Sequence, residues 1–161
     1  MKRLAILAAA AALAAGGIAT GASANKPTRE PQQLPPGTTF DLDGICSFDA
    51  QILILTNKAY TLTFGNGSQI LTGQLFVRVT NLDSGKSLDL NISGPGFTAV
   101  DSNVLSLSGR SLIFLFPGDR GPGSPGLLVL TSGPVVLTST ETGVTVDMTS
   151  ASVTDLCAAL S

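Results

Sequence analysis

Asp41 and Asp43 stand two residues apart, flanked by Phe40 and Leu42. In an extended segment that spacing puts both carboxylates on one side of the backbone. Such a pair suits either a calcium ion or general acid–base work. Calcium takes about six to eight oxygen ligands, so two carboxylates fall far short, and a solvated strand edge is the simpler reading. The chain has no histidine at all. That excludes Ser-His and Cys-His nucleophile activation, imidazole acid–base catalysis and His-ligated metals. Gly85-Lys86-Ser87 resembles the end of a phosphate loop, but Thr80 stands where the first glycine must be, and the surrounding pattern is a hairpin. Gly123-Ser124-Pro125-Gly126 fails the nucleophile-elbow spacing because Pro122 precedes it. Ser23 and Lys26 have the spacing of a Ser-Lys dyad and are separated by the cleavage read below. Asn66-Gly67-Ser68 and Asn91-Ile92-Ser93 match the glycosylation pattern; neither is expected to be modified, because Asn91 falls mid-strand and the N-terminal signal read below has a bacterial pattern. Within the longest loop, Pro117–Gly126, Asp119 and Arg120 are the candidate binding residues, on the ground that long loops often carry recognition. No residue set calls for a cofactor or a metal.

The two cysteines, Cys46 and Cys157, point to a compartment. Met1-Lys2-Arg3, an apolar run from Leu4 to about Ile18 and Ala22-Ser23-Ala24 have the order of a secretory signal: a positive start, a short apolar stretch and a small-residue cleavage site. Cleavage is expected between Ala24 and Asn25. The run is short for a membrane span, so no stable anchor is expected after cleavage. Removing residues 1–24 from 161 leaves 137, enough for one domain with a core. Lys2 and Arg3 leave with them, and the formal charge moves from −2 to −4. There is no basic stripe, which argues against nucleic acid as a partner. In an oxidising compartment an even pair of cysteines is expected to form a disulfide.

These residues must be held by elements, and the clearest are two strands, Leu71–Thr80 and Ser87–Ser93. Leu75, Val77 and Val79 alternate with Gln74, Arg78 and Thr80, and Leu88, Leu90 and Ile92 with Asp89, Asn91 and Ser93. This period of two marks half-buried strands. A Leu82–Gly85 loop, with Gly85 left-handed, predicts Asn81 beside Lys86, Val79 beside Leu88, Val77 beside Leu90 and Arg78 beside Asp89. Arg78 and Asp89 are then a surface pair rather than catalytic partners. Asn66-Gly67 predicts a second hairpin, with Leu62 opposite Leu71, Tyr60 opposite Gly73, and Tyr60, Leu62 and Phe64 sharing a face with Leu71, Leu75 and Val77. Thr56-Asn57-Lys58 is expected to turn. Gly109 and Gly133 are each read as a turn or a bulge. Leu112–Phe116, an unbroken apolar run, is either buried on both faces or a surface for self-association. The loop at Thr140–Gly143 puts Leu137 opposite Val146. The C-terminus is a short helix with Leu156, Ala159 and Leu160 inside, or a final strand.

Residues 25–39, with four prolines, are expected to be a flexible or polyproline-like leader, and residues 40–161 one domain. About eight to ten short strands without a helix of normal length predict an all-β, single-domain antiparallel sandwich, or in the alternative a closed or partly open barrel.

Asn81-Leu82-Asp83-Ser84-Gly85-Lys86-Ser87, Asn91-Ile92-Ser93-Gly94-Pro95, Ser108-Gly109-Arg110, Gly126-Leu127-Leu128, Thr131-Ser132-Gly133 and Asp155-Leu156-Cys157-Ala158 resemble segments of small secreted proteins of actinobacteria. The resemblance runs from Cys46 to Cys157. It implies a β-rich fold and secretion by a Gram-positive cell, and it carries over no activity and no catalytic residue. The expected role is a secreted, non-catalytic binding or envelope-associated structural protein. The alternatives are a carrier of a small apolar ligand, with Tyr60, Phe64, Phe114 and Phe116 lining its cavity, and an extracellular hydrolase using an Asp/Glu pair. A further reading is an inhibitor presenting the Pro117–Gly126 loop.

Overall fold

In the computed structural model, which describes residues 26–161, two long strands carry the rest of the chain: β3 (Ala50–Thr63) and β4 (Gln69–Asn81). The signal segment 1–24 and the Ala24–Asn25 cleavage point lie outside the described residues. β5 (Ser87–Asn91) returns along β4 in the register the side-chain pattern predicts, with Val77 opposite Leu90, Arg78 opposite Asp89 and Val79 opposite Leu88. The turn is closed by hydrogen bonds from Asn81 N–H to Lys86 O (2.9 Å) and from Gly85 N–H to Asn81 O (2.8 Å), with Gly85 at φ +75°. The Asn81 side chain adds to it: its Oδ1 accepts from the N–H groups of Asp83 and Ser84.

The other end of β4 corrects the expected register. Leu62 pairs with Ile70 and Tyr60 with Thr72. The connection is a three-residue loop, Gly65-Asn66-Gly67, closed by Phe64 and Ser68, rather than a two-residue turn centred on Asn66-Gly67. Gly67 N–H bonds to Phe64 O, Gly67 takes the left-handed position (φ +85°), and Asn66 Oδ1 accepts from Ser68 N–H and Oγ–H. A type I turn followed by a left-handed glycine is one of the common hairpin solutions, and it shifts the pairing by one residue. Tyr60 and Leu62 therefore lie on the face opposite Leu71, Leu75 and Val77. The expected turn at Thr56-Asn57-Lys58 is also absent. β3 runs straight through it, with a bulge between Ile54 and Thr56 that inserts Leu55. The bulge exchanges the two faces along the strand. This is why Ile52 and Ile54 are buried below it and Ala59 above it.

The bulge divides the hairpin into two limbs. Below it, β2 (Thr39–Asp41) and β5 flank β3 and β4. Above it, β1 (Thr28–Pro31) lines the β3 edge, and the sheet continues from β4 through β6 (Gly96–Thr98), β7 (Val104–Leu107), β10 (Val135–Thr140) and β11 (Gly143–Asp147). β1 falls within the proline-rich leader, so part of that leader is ordered sheet. Pro31, which has no N–H to donate, is accommodated because β1 is an edge strand. Arg29 lies over the Tyr60 ring, 3.7 Å from its centroid. The β10–β11 pairing sets Leu137 opposite Val146, as the sequence implies.

A second sheet, in the order β12 (Ser152–Asp155), β9 (Leu127–Ser132) and β8 (Arg110–Leu115), is held between the two limbs. Leu112, Phe114 and Leu128 pack with Ile52, Ile54, Val77 and Val79 of the lower limb. On the other face, Ile113 and Val129 pack with Val135, Leu137 and Val144 of the upper limb. A strand covered on both sides has no polar face, which accounts for the unbroken apolar run. Leu112 to Leu115 are all buried and Phe116 is half-buried against the lower core, so the run is packed between two layers rather than laid out as a surface for self-association. Gly109 and Gly133 are both turns rather than bulges, each at a step from one sheet to the other.

The fold is thus an all-β sandwich, not a closed barrel. Among the described residues it has twelve strands, two of them long where short ones are expected. The C-terminus supplies both expected elements in succession: β12, then helix α1 (Leu156–Leu160), capped by Asp155, whose carboxylate accepts from Ala158 N–H at 3.0 Å. Leu156 and Leu160 enter the lower core, and Ala159 is half-buried. Cys157 is joined to Cys46 by the disulfide, with Cα atoms 5.5 Å apart.

Candidate functional site

The sheet that wraps β8 leaves a partly enclosed cleft of about 60 Å³ where the two cores meet. Its wall from the wrapping sheet is aliphatic: Leu71 and Leu75 on β4, Leu105 and Leu107 on β7, and Leu137 on β10. Gly96 on β6 contributes no side chain and so leaves room. The facing wall is β8 itself, from Ser111 to Phe114.

β8 pairs with β9 alone, so its other edge faces this space. The bond from Gly133 N–H to Gly109 O (2.9 Å) sets the alternation of the ladder. In an antiparallel pair every second residue bonds across, so Ser111, Ile113 and Leu115 bond to β9. The N–H and C=O groups of Arg110, Leu112 and Phe114 point the other way. Arg110 O accepts from Gly94 N–H at 2.8 Å. Leu112 and Phe114, 7% and 4% exposed, turn their backbone groups away from β9, to the side where no strand pairs with them.

Ser111 is 7% exposed, and its hydroxyl has no hydrogen-bond partner. Its neighbour across the ladder, Thr131, fully buried, donates its hydroxyl to Ser111 O at 3.2 Å and leaves Ser111 Oγ unanswered. Burying a hydroxyl without a partner costs about 1–3 kcal/mol. The cleft therefore has an aliphatic lining beside one unpaired strand edge, and the Ser111 hydroxyl is buried out of reach of a water-sized group.

The residues singled out by the sequence lie elsewhere. Asp119 is half-buried and structural: its carboxylate accepts from Phe116 N–H at 2.8 Å, and its carbonyl accepts from Val144 N–H at 2.7 Å. Arg120 is exposed and donates to Pro125 O at 3.1 Å, tying its loop to itself. Asp41 accepts from Gln51 Nε2 (2.9 Å), and both Asp41 and Asp43 are exposed. Arg78 and Asp89 form a two-pronged surface pair at 2.6 and 2.9 Å. The hydrogen bonds from Arg78 hold the Asp89 carboxyl below the ordinary carboxylate range and raise the Arg78 guanidinium in turn. Asp147 is held low by Thr149, through its N–H first and then its hydroxyl. Of the four aromatics expected to line a cavity, only Phe114 reaches the cleft. Phe116 packs edge-on against Phe114 at 6.2 Å, Tyr60 lies under Arg29, and Phe64 joins Lys26 and Thr28 in an open surface hollow.

Sequence reasoning missed Ser111 and Asn81. Ser111 had a signal, a polar residue heading an apolar run. Asn81 is 4% exposed, and its Nδ2 donates to Leu160 O at 3.0 Å, joining the central turn to α1. Nothing local to Asn81 announces a partner 79 residues away. Among the described residues, no group of three His, Cys, Asp or Glu side chains is placed to hold a metal, and no helix is long and apolar enough to cross a membrane. No family model matches this chain, and neither does any curated protein or any solved structure.

Proposed function

We propose that this is a secreted, non-catalytic binding protein that takes a small apolar ligand in the cleft along β8. The observation that carries the reading is the cleft itself, walled by leucines from three strands of the wrapping sheet and closed by an unpaired strand edge. Small-molecule sites are concave and mostly apolar, with a few placed polar groups. Secretion is supported by the character of residues 1–24 and by the disulfide, which suits an oxidising compartment. The acidic residues favour binding over hydrolysis: Asp41, Asp89, Asp119, Asp147 and Asp155 each hold a turn, a cap or a surface pair.

Xenon tests the cleft without asking for any polar contact. In methyl NMR spectra under xenon pressure, saturable shifts are expected at Leu71, Leu75, Leu105 and Leu107. Shifts that stay linear with pressure and scatter over the surface would exclude a binding cleft. Cell fractionation tests the compartment, with the mature chain expected outside the cytoplasm.

A further inference from the structure

We propose that the cleft takes the end of an unbranched alkyl chain, about two or three carbons deep, and that Gly96 sets that depth. This deepens the reading above and rests on the same cleft. Size is the first argument. The cleft of about 60 Å³ is under half of the roughly 150 Å³ that holds benzene in an engineered apolar cavity, so a six-membered ring does not fit. It equals the liquid volume of about two waters, room for a few methyl or methylene groups. Lining is the second. The leucines of β4, β7 and β10 offer methyl groups and no charge. A polar or charged head would be desolvated there without a partner, which is unfavourable. The head therefore stays outside, and the remaining chain leaves through the open side of the cleft.

Gly96 is an independent pointer. It stands in register between Leu71 of β4 and Leu107 of β7, on the face that lines the cleft. Glycine inside a strand weakens it, and it marks a special backbone conformation or a close approach. Other glycines of this chain answer to one of these. Gly73 is left-handed (φ +120°), and a Cβ on it would enter the backbone of Lys58 and Ala59. A Cβ on Gly94 would enter the backbone at Ser108 and Arg110, and one on Gly126 that of Ile45. Gly96 is under neither constraint. Its φ is not positive, and a Cβ there would first meet the ends of two flexible side chains, Leu107 Cδ2 at 3.1 Å and Leu105 Cδ1 at 3.4 Å. The missing methyl lets both leucines lie back against β6 and away from β8, which keeps the cleft open between them. Alanine at this position would press their ends toward β8 by a few tenths of an ångström and close the cleft by about a methyl group.

The test is titration of the intact disulfide-bonded protein with methane, ethane, propane and n-butane under pressure, and with hexanoate and benzene, followed by methyl NMR shifts at Leu71, Leu105, Leu107 and Leu137. Each buried carbon is worth about a 4-fold gain in affinity. The alkanes are expected to tighten by about that factor per carbon as far as ethane or propane, then to level off, because later carbons stay in solvent. Hexanoate is expected to match propane within about 4-fold, its carboxylate left in water. Benzene is not expected to saturate. Gly96→Ala is expected to weaken propane about 4-fold or more, with an unchanged fold by its amide spectrum. Leu107→Ala widens the cleft and is expected to admit benzene; if that variant does not fold, Gly96→Ala decides alone. Equal propane affinity in Gly96→Ala and the parent would overturn the role of Gly96. Benzene binding the parent as tightly as propane, or hexanoate failing where propane saturates, would overturn the chain-end assignment. If xenon saturates the cleft and no alkane does, that assignment fails alone. If neither binds, the proposed function fails with it.

Discussion

Replacing both Cys46 and Cys157 by serine tests how this sandwich is closed. The bridge spans 111 residues of sequence, nearly the whole domain. On the chain-entropy view, a loop of that length removes about 16 cal/mol/K from the unfolded ensemble, or about 5 kcal/mol at 25 °C. Domains of this size are stable by roughly 5–15 kcal/mol, so the loss is a large share of the total. The structure adds a local consequence. α1 has five residues and cannot persist alone in water. It is held by the burial of Leu156 and Leu160, by the bond from Asn81 Nδ2 to Leu160 O, and by the covalent tie at Cys157. The assay is urea unfolding of the oxidised parent and the double serine variant. With a slope of about 2 kcal/mol/M, the midpoint should fall by about 2–3 M. Amide exchange should quicken first in α1 and β12, the elements next to the lost bridge. A midpoint shift below about 0.5 M, with an unchanged slope, would refute the reasoning. It would mean that the reduced chain is already restrained in the unfolded state, or that native strain cancels the gain.

Ile113→Ala and Leu112→Ala, adjacent residues on opposite faces of β8, should each destabilise by about 2–5 kcal/mol in the same urea assay. A strand with one solvated face would give that loss at one position only. Asn81→Ala removes the acceptor for Asp83 and Ser84 and the donor to Leu160 O; a loss of about 2–4 kcal/mol is expected, with faster amide exchange in both the turn and α1. Asp89 and Asp147 have folded carboxyls more acidic than unfolded ones, so their stabilisation is complete above the unfolded value and fades as pH falls through the folded value. In an NMR titration both should titrate below the ordinary aspartate value of about 3.9. Asp89→Asn should change the melting temperature at neutral pH by no more than about 1 °C, because the pair is exposed to solvent.

The sequence by itself determined what depends on near neighbours. The pairing of Val77 with Leu90 and of Val79 with Leu88 follows from a period of two and one left-handed glycine, because a slip of one residue would bury Asp89. The same holds for Leu137 and Val146 across the second such loop. The disulfide and the all-β class were also legible, from cysteine count, apolar pattern and turn residues. The Asn66-Gly67 register was not, because one dipeptide serves both a two-residue turn and a three-residue loop, and Ser68 chose between them through Asn66. The bulge at Leu55 was not legible either. It appears in the sequence only as a break in alternation, which a turn would produce equally well. Whether Leu112–Phe116 was core or surface depended on what lay above and below it, and both covers come from distant parts of the chain. The cleft belongs wholly to that level. Ser111, Leu71 and Leu105 are ordinary strand residues in the sequence. They become the lining of one cleft only because one sheet bends around the unpaired edge of another.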